Sequence, residues 1–570
     1  MKGFGFTAKA YAGVAAALLA STALPAQAKW LTLHNDFTMY DLDGKSIQTR
    51  SGTLRRFNGT FYWYGSANRF TDQTCYSSTD LVHWTNKGVV LQAASTNRMD
   101  VVYNDSTKQY VMFLKTGPAD GTQLGIATSP TPDGKFTFVG NQLIHGSKMG
   151  DMSIWQDDDG KAYIAYVWDS IPGANSGGIS QHAFAVLSPD YLTVGKRQWL
   201  WNAGNREAPM MMKRHGLYYY FTSLTLWTES TETQYYTASN IAGPWTTRLV
   251  PMLTPGAPKK NSWDTQCDFV FSFKGPKDTL HMYVGDRWEK PDPARLGDYA
   301  FLPMSFTAKD SALVNYYQDW EVEPDLGQWR PLDPKRNLAL RKTAAASSST
   351  GSNAPGNAVD SVSWQNYLNS KWMSSVADSQ WIRVDLGSAT SINRVILKWD
   401  SAYAKSFKIQ VGTDTSSWTD VFGTTKAGAR SVTDETFATV SARYVRVLGV
   451  ERGNTSRGIG LYDFMVLNDT GAATALPHAG RRGALSGAGL TARDGAVRYR
   501  LASAGAVRLE IVDGRGRLKA VLADGFRNAG EHEAAIPAGL GAGRYIARLT
   551  QGGKRLATLT LSPGSEGGRP

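Results

Sequence analysis

The sequence has 570 residues, which exceeds one ordinary domain and predicts three or four folded units. Hydrophobic residues make up 42% of the chain and charged residues 19%, a balance that excludes a disordered chain. The net charge of +12 comes without a nucleic-acid-binding motif, so nucleic acid is not an expected partner. A solvated basic surface and a weak attraction for acidic polysaccharide are the two interpretations of this charge. Cys75 and Cys267 are too few for a disulfide framework and are expected to be buried thiols.

Residues 1–28 have the pattern of a signal peptide. Lys2 and Lys9 supply a positive region, residues 10–23 are small and apolar, and Ala26-Gln27-Ala28 is a cleavage site of the A-x-A type. No later segment is apolar for long enough to cross a membrane, so no membrane insertion is expected. We therefore expect a secreted protein, periplasmic or extracellular, whose mature chain begins near Lys29.

Residues 29–330 carry a repeat of strand pairs. In each repeat, a turn is closely followed by an aromatic or large apolar residue that opens a strand. These strands begin about 50 residues apart, at Tyr62, Tyr110, Tyr163, Tyr219 and Met282. Repeated hairpins at this spacing predict a five-bladed β-propeller, with a β-sandwich as the alternative.

Polar residues recur at one register of these repeats. Counting nine residues back from the turns gives positions that open the innermost strands and face the central channel, and they are Arg50, Arg98, Asp151, Glu207 and, in the fifth repeat, Val270. The fifth repeat has a longer approach, and its polar candidate is Gln266. Glycoside hydrolysis needs a proton donor and a group that activates water or attacks the sugar. A second carboxylate nearby keeps the donor protonated. Glu207 suits the donor and Asp151 the second carboxylate, whereas a lone carboxylate at either position would be an ordinary surface group.

The same region resembles glycoside hydrolase family 43, and most closely its exo-β-1,3-galactanase branch. The stretches that carry the resemblance are Tyr62-Trp63-Tyr64-Gly65, Cys75-Tyr76-Ser77-Ser78-Thr79-Asp80-Leu81, Asp151-Met152, Glu207-Ala208-Pro209, Thr265-Gln266-Cys267 and Gly285-Asp286-Arg287-Trp288. The resemblance implies a five-bladed propeller that inverts the anomeric configuration. It also implies that Glu207 is the general acid and that Asp151 adjusts its pKa.

Two departures from the family concern the remaining site residues. The first-blade strand that usually carries an aspartate base reads Gln48-Thr49-Arg50-Ser51-Gly52, without a carboxylate. As in the galactanase branch, the resemblance then gives Gln266 the role of orienting the water. On the second blade, Asn97 stands where that branch has a glutamate, beside Arg98, which either meets substrate or pairs internally. Expected sugar-stacking residues at strand ends are Trp168, Trp227 and Trp288, and no metal-ligand spacing is present.

The segments after the propeller predict two further β-domains. Residues 337–468 resemble a discoidin, or F5/8 type C, domain of the kind found as family 32 carbohydrate-binding modules, through Asn357-Ala358-Val359-Asp360, Gln380-Trp381-Ile382-Arg383-Val384-Asp385-Leu386-Gly387 and Arg443-Tyr444-Val445-Arg446-Val447. The resemblance implies a possible structural Ca²⁺ near Val359-Asp360. Residues 469–489 read as a linker and residues 490–563 as a small Ig-like β-sandwich.

These observations lead to three functional hypotheses. The first is a secreted, inverting exo-glycoside hydrolase that acts on β-1,3-galactan or arabinogalactan-type glycans and needs no cofactor for catalysis. The second is a family 43 arabinofuranosidase or galactofuranosidase. The third, of a different class, is a non-catalytic carbohydrate-binding propeller. In each of them the partner is a polysaccharide or oligosaccharide.

Overall fold

The computed structural model describes residues 30–561. Gaps in this region lie at 68–69, 93–96, 118–121, 169–180, 203, 227–228, 256, 258–260, 277–278, 289–297, 361–369, 470–489, 494–495, 502–504, 514–516, 528–529, 537–544 and 552–553. Regular structure in the described residues is almost all β-strand, with short 3-10 turns at Pro334–Arg336 and Pro355–Ala358. The predicted all-β fold class is confirmed. Among the described segments, no helix has the length and hydrophobicity needed to cross a bilayer.

Five four-stranded antiparallel sheets follow strand β1 (Leu31–His34) along the chain. The first contains β2 (Arg50–Phe57), β3 (Thr60–Ala67), β4 (Asp72–Ser78) and β5 (Thr85–Gln92). The second contains β6 (Asn97–Asn104), β7 (Gln109–Thr116), β8 (Gln123–Ser129) and β9 (Thr137–Gln142). The third contains β10 (Met149–Gln156), β11 (Ala162–Trp168), β12 (Gln181–Leu187) and β13 (Val194–Asn202). The fourth contains β14 (Arg206–Arg214), β15 (Leu217–Leu224), β16 (Gln234–Ala238) and β17 (Val250–Pro251), and the fifth contains β18 (Gln266–Lys274), β19 (Thr279–Asp286), β20 (Tyr299–Phe306) and β21 (Ala312–Val314).

The five sheets form a closed ring. The first strands of successive sheets, β2, β6, β10, β14 and β18, contact one another in this order, and β18 contacts β2. This is the arrangement of a propeller, in which the first strands surround a central channel. The ring therefore brings the starts of all five first strands to one end of the channel.

The buried strands explain why the hairpin repeat was visible in the sequence. The second strand of each sheet lies inside its sheet and between neighbouring sheets, so it is buried on both faces and reads as a continuous run of aromatic and aliphatic residues. The turns before β11 and β15 place Gly160 and Gly216 at φ +79°, a conformation that favours glycine.

Cys75 and Cys267 are free and buried, which confirms the prediction of two thiols.

A small sheet joins the two ends of the ring region to each other. Strand β1 pairs with β22 (Asp319–Glu323), which pairs with β23 (Gln328–Pro331). The next domain is a seven-stranded β-structure made of β24 (Thr343–Ala346), β25 (Trp372–Met373), β26 (Gln380–Trp399), β27 (Ala404–Gly412), β28 (Thr419–Thr424), β29 (Val432–Arg452) and β30 (Gly460–Leu467).

The last described strands form two small sheets. They are β31 (Leu490–Arg493), β32 (Ala496–Leu501), β33 (Gly505–Asp513), β34 (Leu518–Arg527), β35 (Gly530–Ala535), β36 (Tyr545–Gln551) and β37 (Lys554–Leu561). Strands β31, β32 and β35 form one sheet, and β34, β33, β36 and β37 form the other. The Ig-like assignment of 490–563 stays a prediction.

Buried ion pairs join the sandwich of β24–β30 to the propeller. His34 on β1 lies 2.7 Å from Asp319 and 2.9 Å from Asp434, which belongs to the sandwich strand β29. Arg394 on β26 donates to Asp434 at 2.6 Å, and Lys398 lies 2.5 Å from Asp319. Asp469, the first residue of the predicted linker, is also anchored, 2.8 Å from Arg394. The first residue of the predicted linker is therefore attached to the sandwich.

Candidate active site

Each of the five first strands has a β-bulge close to its start. The register of the pairing shifts between Arg50 and Thr53, Asn97 and Met99, Met149 and Met152, Glu207 and Met210, and Cys267 and Phe269. Ser51, Arg98 and Ala208 in these bulges have φ values of 50°, 56° and 54°, which are unusual for residues other than glycine. A bulge re-aims side chains at the rim of a sheet. Five of them at one end of the ring turn polar groups into the channel.

Asp151, in the bulge of β10, is the centre of a charged group. It lies 2.9 Å from Lys115 at one carboxylate oxygen, and its other oxygen lies 3.4 Å from Arg98 Nε. That second oxygen also accepts a hydrogen bond from the backbone N–H of Ala208 at 3.2 Å. Burial alone would raise the pKa of Asp151, but the two cations outweigh it and hold this pKa below its usual range. Asp151 therefore carries a negative charge next to the start of β14.

Glu207, at the start of β14, is the residue beside that charge. Burial raises its pKa to about 8, and the negative charge of Asp151 adds to the increase. Gln266 Nε2 donates a hydrogen bond to Glu207 Oε1 at 2.6 Å. Trp288 Nε1 in turn donates to Gln266 Oε1 at 3.0 Å, which orients the amide. A carboxyl group that stays protonated near neutral pH is suited to donate a proton.

Buried carboxyl groups of the fifth sheet continue the polar lining. Asp268, in the bulge of β18, lies 2.8 Å from Arg98 Nη1 and accepts the backbone N–H of Gly52 at 3.1 Å. Asp286 at the end of β19 accepts the N–H of Ser51 at 2.8 Å. Burial, and then the charge of Asp286, raises the pKa of Asp268 well above its usual value.

An arginine occupies the first-sheet position at the channel end. Arg50 lies 2.9 Å from Asp298 and donates to the backbone oxygen of Arg287 at 3.0 Å. Its guanidinium lies over the Trp288 ring, 5.0 Å from the centroid. Trp288 therefore contacts both the first sheet and, through Gln266, the carboxyl of Glu207.

Comparison with known families agrees with this geometry. The family described as "Glycosyl hydrolases family 43" matches residues 48–302, which contain all five sheets' first strands and the polar cluster. Residues 48–302 form a glycosyl hydrolase family 43 domain. The family described as "F5/8 type C domain" matches residues 343–463, and this confirms the discoidin-like prediction.

Individual relatives match only part of this chain, or they match it at low sequence identity. The β-D-galactofuranosidase xynD of Aspergillus niger is 30% identical over 217 residues, which are 34% of this chain and 61% of that protein. The match thus spans less than two thirds of the relative's length. Two solved structures are exo-β-1,3-galactanases. That of Phanerochaete chrysosporium with galactose is 21% identical, with a TM-score of 0.47, over 77% of this chain and 100% of that chain. That of Clostridium thermocellum is 20% identical, with a TM-score of 0.47, over 76% and 99%.

The family 43 domain brings four of the predicted site residues into one chain of contacts. Glu207, Gln266 and Trp288 are linked by two direct hydrogen bonds, and Asp151 joins them through the backbone N–H of Ala208, the residue after Glu207. Arg98 joins them by internal pairing with Asp151 and Asp268, one of the two alternatives for this residue. The catalytic roles of these residues stay predictions.

Of the other predicted residues of the domain, Trp168 has described contacts outside this chain of contacts, and the side chains of Trp227 and Asn97 lie outside the described part. Trp168 ends β11 and packs against the core between the second and third sheets, with the Arg197 guanidinium 4.3 Å from its ring centroid. Trp227 lies outside the described residues. Asn97 opens β6 and pairs with Lys115 on β7, but its side chain lies outside the described part.

Sequence reasoning missed Lys115, Asp268 and Asp286. Lys115 is in register with Asn97, so a correct strand pairing between β6 and β7 would have placed it at the channel end. Asp268 follows the Thr265-Gln266-Cys267 motif directly, and the bulge there is what turns it inward. A bulge inserts one residue into a strand and shifts the inward–outward alternation there, so a regular two-residue period does not give the faces of the residues around it.

Proposed function

We propose that the chain is a secreted, inverting exo-glycoside hydrolase that removes galactose from β-1,3-galactan or arabinogalactan-type glycans. The match of residues 48–302 to glycosyl hydrolase family 43 supports hydrolysis of a glycosidic bond. The observation that carries the proposal is the raised pKa of Glu207 beside an ionised Asp151. Galactan is the first substrate to test because the two solved structures above are those of exo-β-1,3-galactanases. Their similarity to this chain carries no further argument.

Glu207 is the proposed proton donor. Its burial and the neighbouring charge of Asp151 favour the protonated form, so the proton is available to the leaving oxygen at neutral pH. Asp151 is proposed to act through Glu207 and not on the sugar itself. Lys115 and Arg98 keep Asp151 ionised, and that charge is the source of its effect.

Gln266 is the proposed water-positioning residue. An inverting reaction places acid and base carboxyls roughly 6.5–9.5 Å apart, because the sugar carbon and a water lie between them. Gln266 is hydrogen-bonded directly to Glu207 at 2.6 Å, so this bond must open when a sugar enters. Its oxygen, already oriented by Trp288, is then able to accept a hydrogen bond from the incoming water and hold that water in position for attack.

Product analysis tests the proposed reaction. The enzyme is incubated with β-1,3-galacto-oligosaccharides and with arabinogalactan, and the first product is followed by NMR. We expect galactose to be released one unit at a time and to appear initially as the α-anomer, since attack by water inverts the β-bond. Initial release of the β-anomer, or of internal fragments, would contradict the inverting exo-mechanism.

A galactofuranosidase or arabinofuranosidase is the second candidate. Two observations favour it: the 30% identical relative is a β-D-galactofuranosidase, and Asn97 replaces the glutamate of the galactanase branch. An amide in place of a carboxylate changes which sugar hydroxyls are bound. Aryl β-galactofuranosides and aryl arabinofuranosides included in the same assay distinguish the candidates, because preferential cleavage of either would reject the galactan proposal.

The accompanying expectations on secretion and the sandwich are also proposals. Cleavage after Ala28 is checked by determining the N-terminus of protein recovered from outside the cytoplasm. A structural Ca²⁺ in the F5/8 type C domain was expected near Val359-Asp360, and residues 361–369, which follow directly, lie outside the described residues. Thermal unfolding with and without a calcium chelator tests the ion, since a structural Ca²⁺ raises the unfolding temperature of the domain.

A further inference from the structure

One face of the F5/8 type C domain carries two arginines in direct register. Arg383 on β26 is the pairing partner of Arg446 on β29, and Arg446 is the partner of Gln410 on β27. Side chains in such cross-strand positions point to the same face with Cβ atoms about 5 Å apart, and like charges placed there destabilise the sheet. Such an arrangement needs a compensating partner.

The other cations on this domain show what such compensation looks like. Lys408 lies 2.6 Å from Asp420, and Arg443 makes two contacts of 2.9 Å with Asp385. Arg383 and Arg446, by contrast, have no ion-pair partner among the described residues.

The arginines are held in place by aromatic and amide contacts instead. Arg383 lies over Trp381 at 5.1 Å, and Arg446 lies over Trp418 at 4.1 Å while donating to Gln410 at 2.8 Å. All four of these charged and aromatic side chains are half-buried. Burial, and then the charge of Arg383, lowers the pKa of Arg446, and Asp420, which accepts a hydrogen bond from Gln410 at 2.7 Å, offsets only part of this shift.

The neighbouring strand leaves this region open. Ala345 on β24 is the register partner of Arg383, and its short side chain leaves Arg383 uncovered on this side. A guanidinium binds a carboxylate through two parallel hydrogen bonds. The two arginines supply such contacts side by side on one surface, and each is held by the ring of a neighbouring tryptophan.

We propose that this face, defined by Trp381, Arg383, Trp418 and Arg446, binds the carboxylates of uronic acids in an anionic glycan. The site is separate from the channel of the family 43 domain and does not depend on the reaction proposed there. It would attach the enzyme to acidic polysaccharide while the channel acts on the glycan. Its ligand differs from a neutral sugar by a charge, so the two are distinguishable by experiment.

Binding of tetragalacturonate to the full chain, measured by calorimetry at about 0.15 M salt where long-range surface charge is screened, tests the proposal. Neutral galactotetraose is the matched ligand control. The double variant R383Q/R446Q is compared with K405Q/R452Q, which removes the same charge from cations that are paired with Glu451 and Asp378. We expect R383Q/R446Q to bind tetragalacturonate at least about tenfold more weakly and the control variant to bind as the parent does, because each guanidinium–carboxylate pair is lost only in the first.

Three results would overturn the proposal. They are equal weakening in both variants, equal binding of the neutral tetramer, and no binding by the parent. Vesicles of phosphatidylserine form a further arm, and binding to vesicles alone would assign the face to a membrane instead of a glycan. Unfolding temperatures keep the test interpretable, since R446Q on its own relieves the like-charge pair and is expected to unfold at or above the temperature of the parent.

Discussion

Two buried charged clusters in this molecule use the same residue types and differ in how completely the charges are paired. At the domain interface, Asp319 and Asp434 each contact two cationic groups. Burial alone would raise the pKa of Asp319, but Lys398 and His34 lower it to about 2. At the channel end, Asp151 is paired in this way, whereas Glu207 contacts an amide and has a raised pKa.

The difference separates a structural cluster from a chemical one. A buried pair that loses one partner leaves a stranded charge, so the interface cluster holds the F5/8 type C domain on the propeller. A carboxyl kept protonated beside a charged neighbour stores a proton that can be transferred. We therefore expect changes at the interface to lower stability at constant activity, and changes in the channel to lower activity at constant stability.

The largest expected effect is that of Glu207→Gln. Removal of a general acid lowers kcat by about 10²–10⁴-fold, because the leaving oxygen departs without a proton. Assays with galacto-oligosaccharides measure kcat, and circular dichroism checks the fold. Glu229→Gln, at an exposed glutamate beyond β15, is the matched control and is expected to keep parental activity. A parent without activity on the whole substrate panel would instead favour the non-catalytic carbohydrate-binding hypothesis.

Asp434→Asn tests the interface cluster. The change removes the carboxylate that Arg394 and His34 share and leaves them Asp469 and Asp319, so we expect a loss of up to the about 3–5 kcal/mol that a fully stranded buried charge costs. Urea unfolding of the full chain measures the loss. The control Asp378→Asn removes an exposed carboxylate that pairs with Arg452, and little change is expected there. Equal unfolding free energies for the two variants would show that the interface cluster does not hold the domains together.

Asp151→Asn probes the link between the two channel carboxyls. The charge of Asp151 raises the pKa of Glu207, so its removal lowers that pKa. The active form has protonated Glu207 and is lost as the pH rises through this pKa. The alkaline limb of the kcat/KM profile is therefore expected to move by about 1 unit to lower pH. Asp159→Asn, in the exposed turn before β11, serves as control, and an unshifted limb in Asp151→Asn would refute the proposed role.

The smallest expected effect is that of Trp288→Phe. This change removes the N–H that orients Gln266 but keeps an aromatic ring beside Arg50. Loss of one hydrogen bond of about 1 kcal/mol corresponds to about a fivefold fall in kcat. The initial rate on galacto-oligosaccharides measures it, with Trp329→Phe in the small β1-containing sheet as control. An unchanged kcat with a raised KM would indicate sugar stacking by Trp288 instead of water positioning.

Much of the fold and part of the site were predictable for identifiable reasons. The hairpin repeat was visible because the second strand of each sheet is buried on both faces, and this burial forces an apolar run such as Tyr219–Phe221. Asp151 and Glu207 were predictable because they occupy the same register of successive repeats. Trp168 shows the limit of such reasoning, since a strand-end position by itself does not decide between packing in the core and sugar stacking, and its stacking role stays a prediction.

The amino-acid sequence alone determined the all-β class, the order of the family 43 and F5/8 type C domains and the acidic pair, because each of these depends on periodicity or motif along the chain. Only the tertiary structure decided the partners of that pair. Lys115, Asp268 and Trp288 reach the channel from three different sheets or loops, and the bulges that turn Arg98 and Asp268 inward leave no trace in composition. The pKa of Glu207 depends on burial and on a charge from the neighbouring sheet, and closure of the ring brings both to the same place.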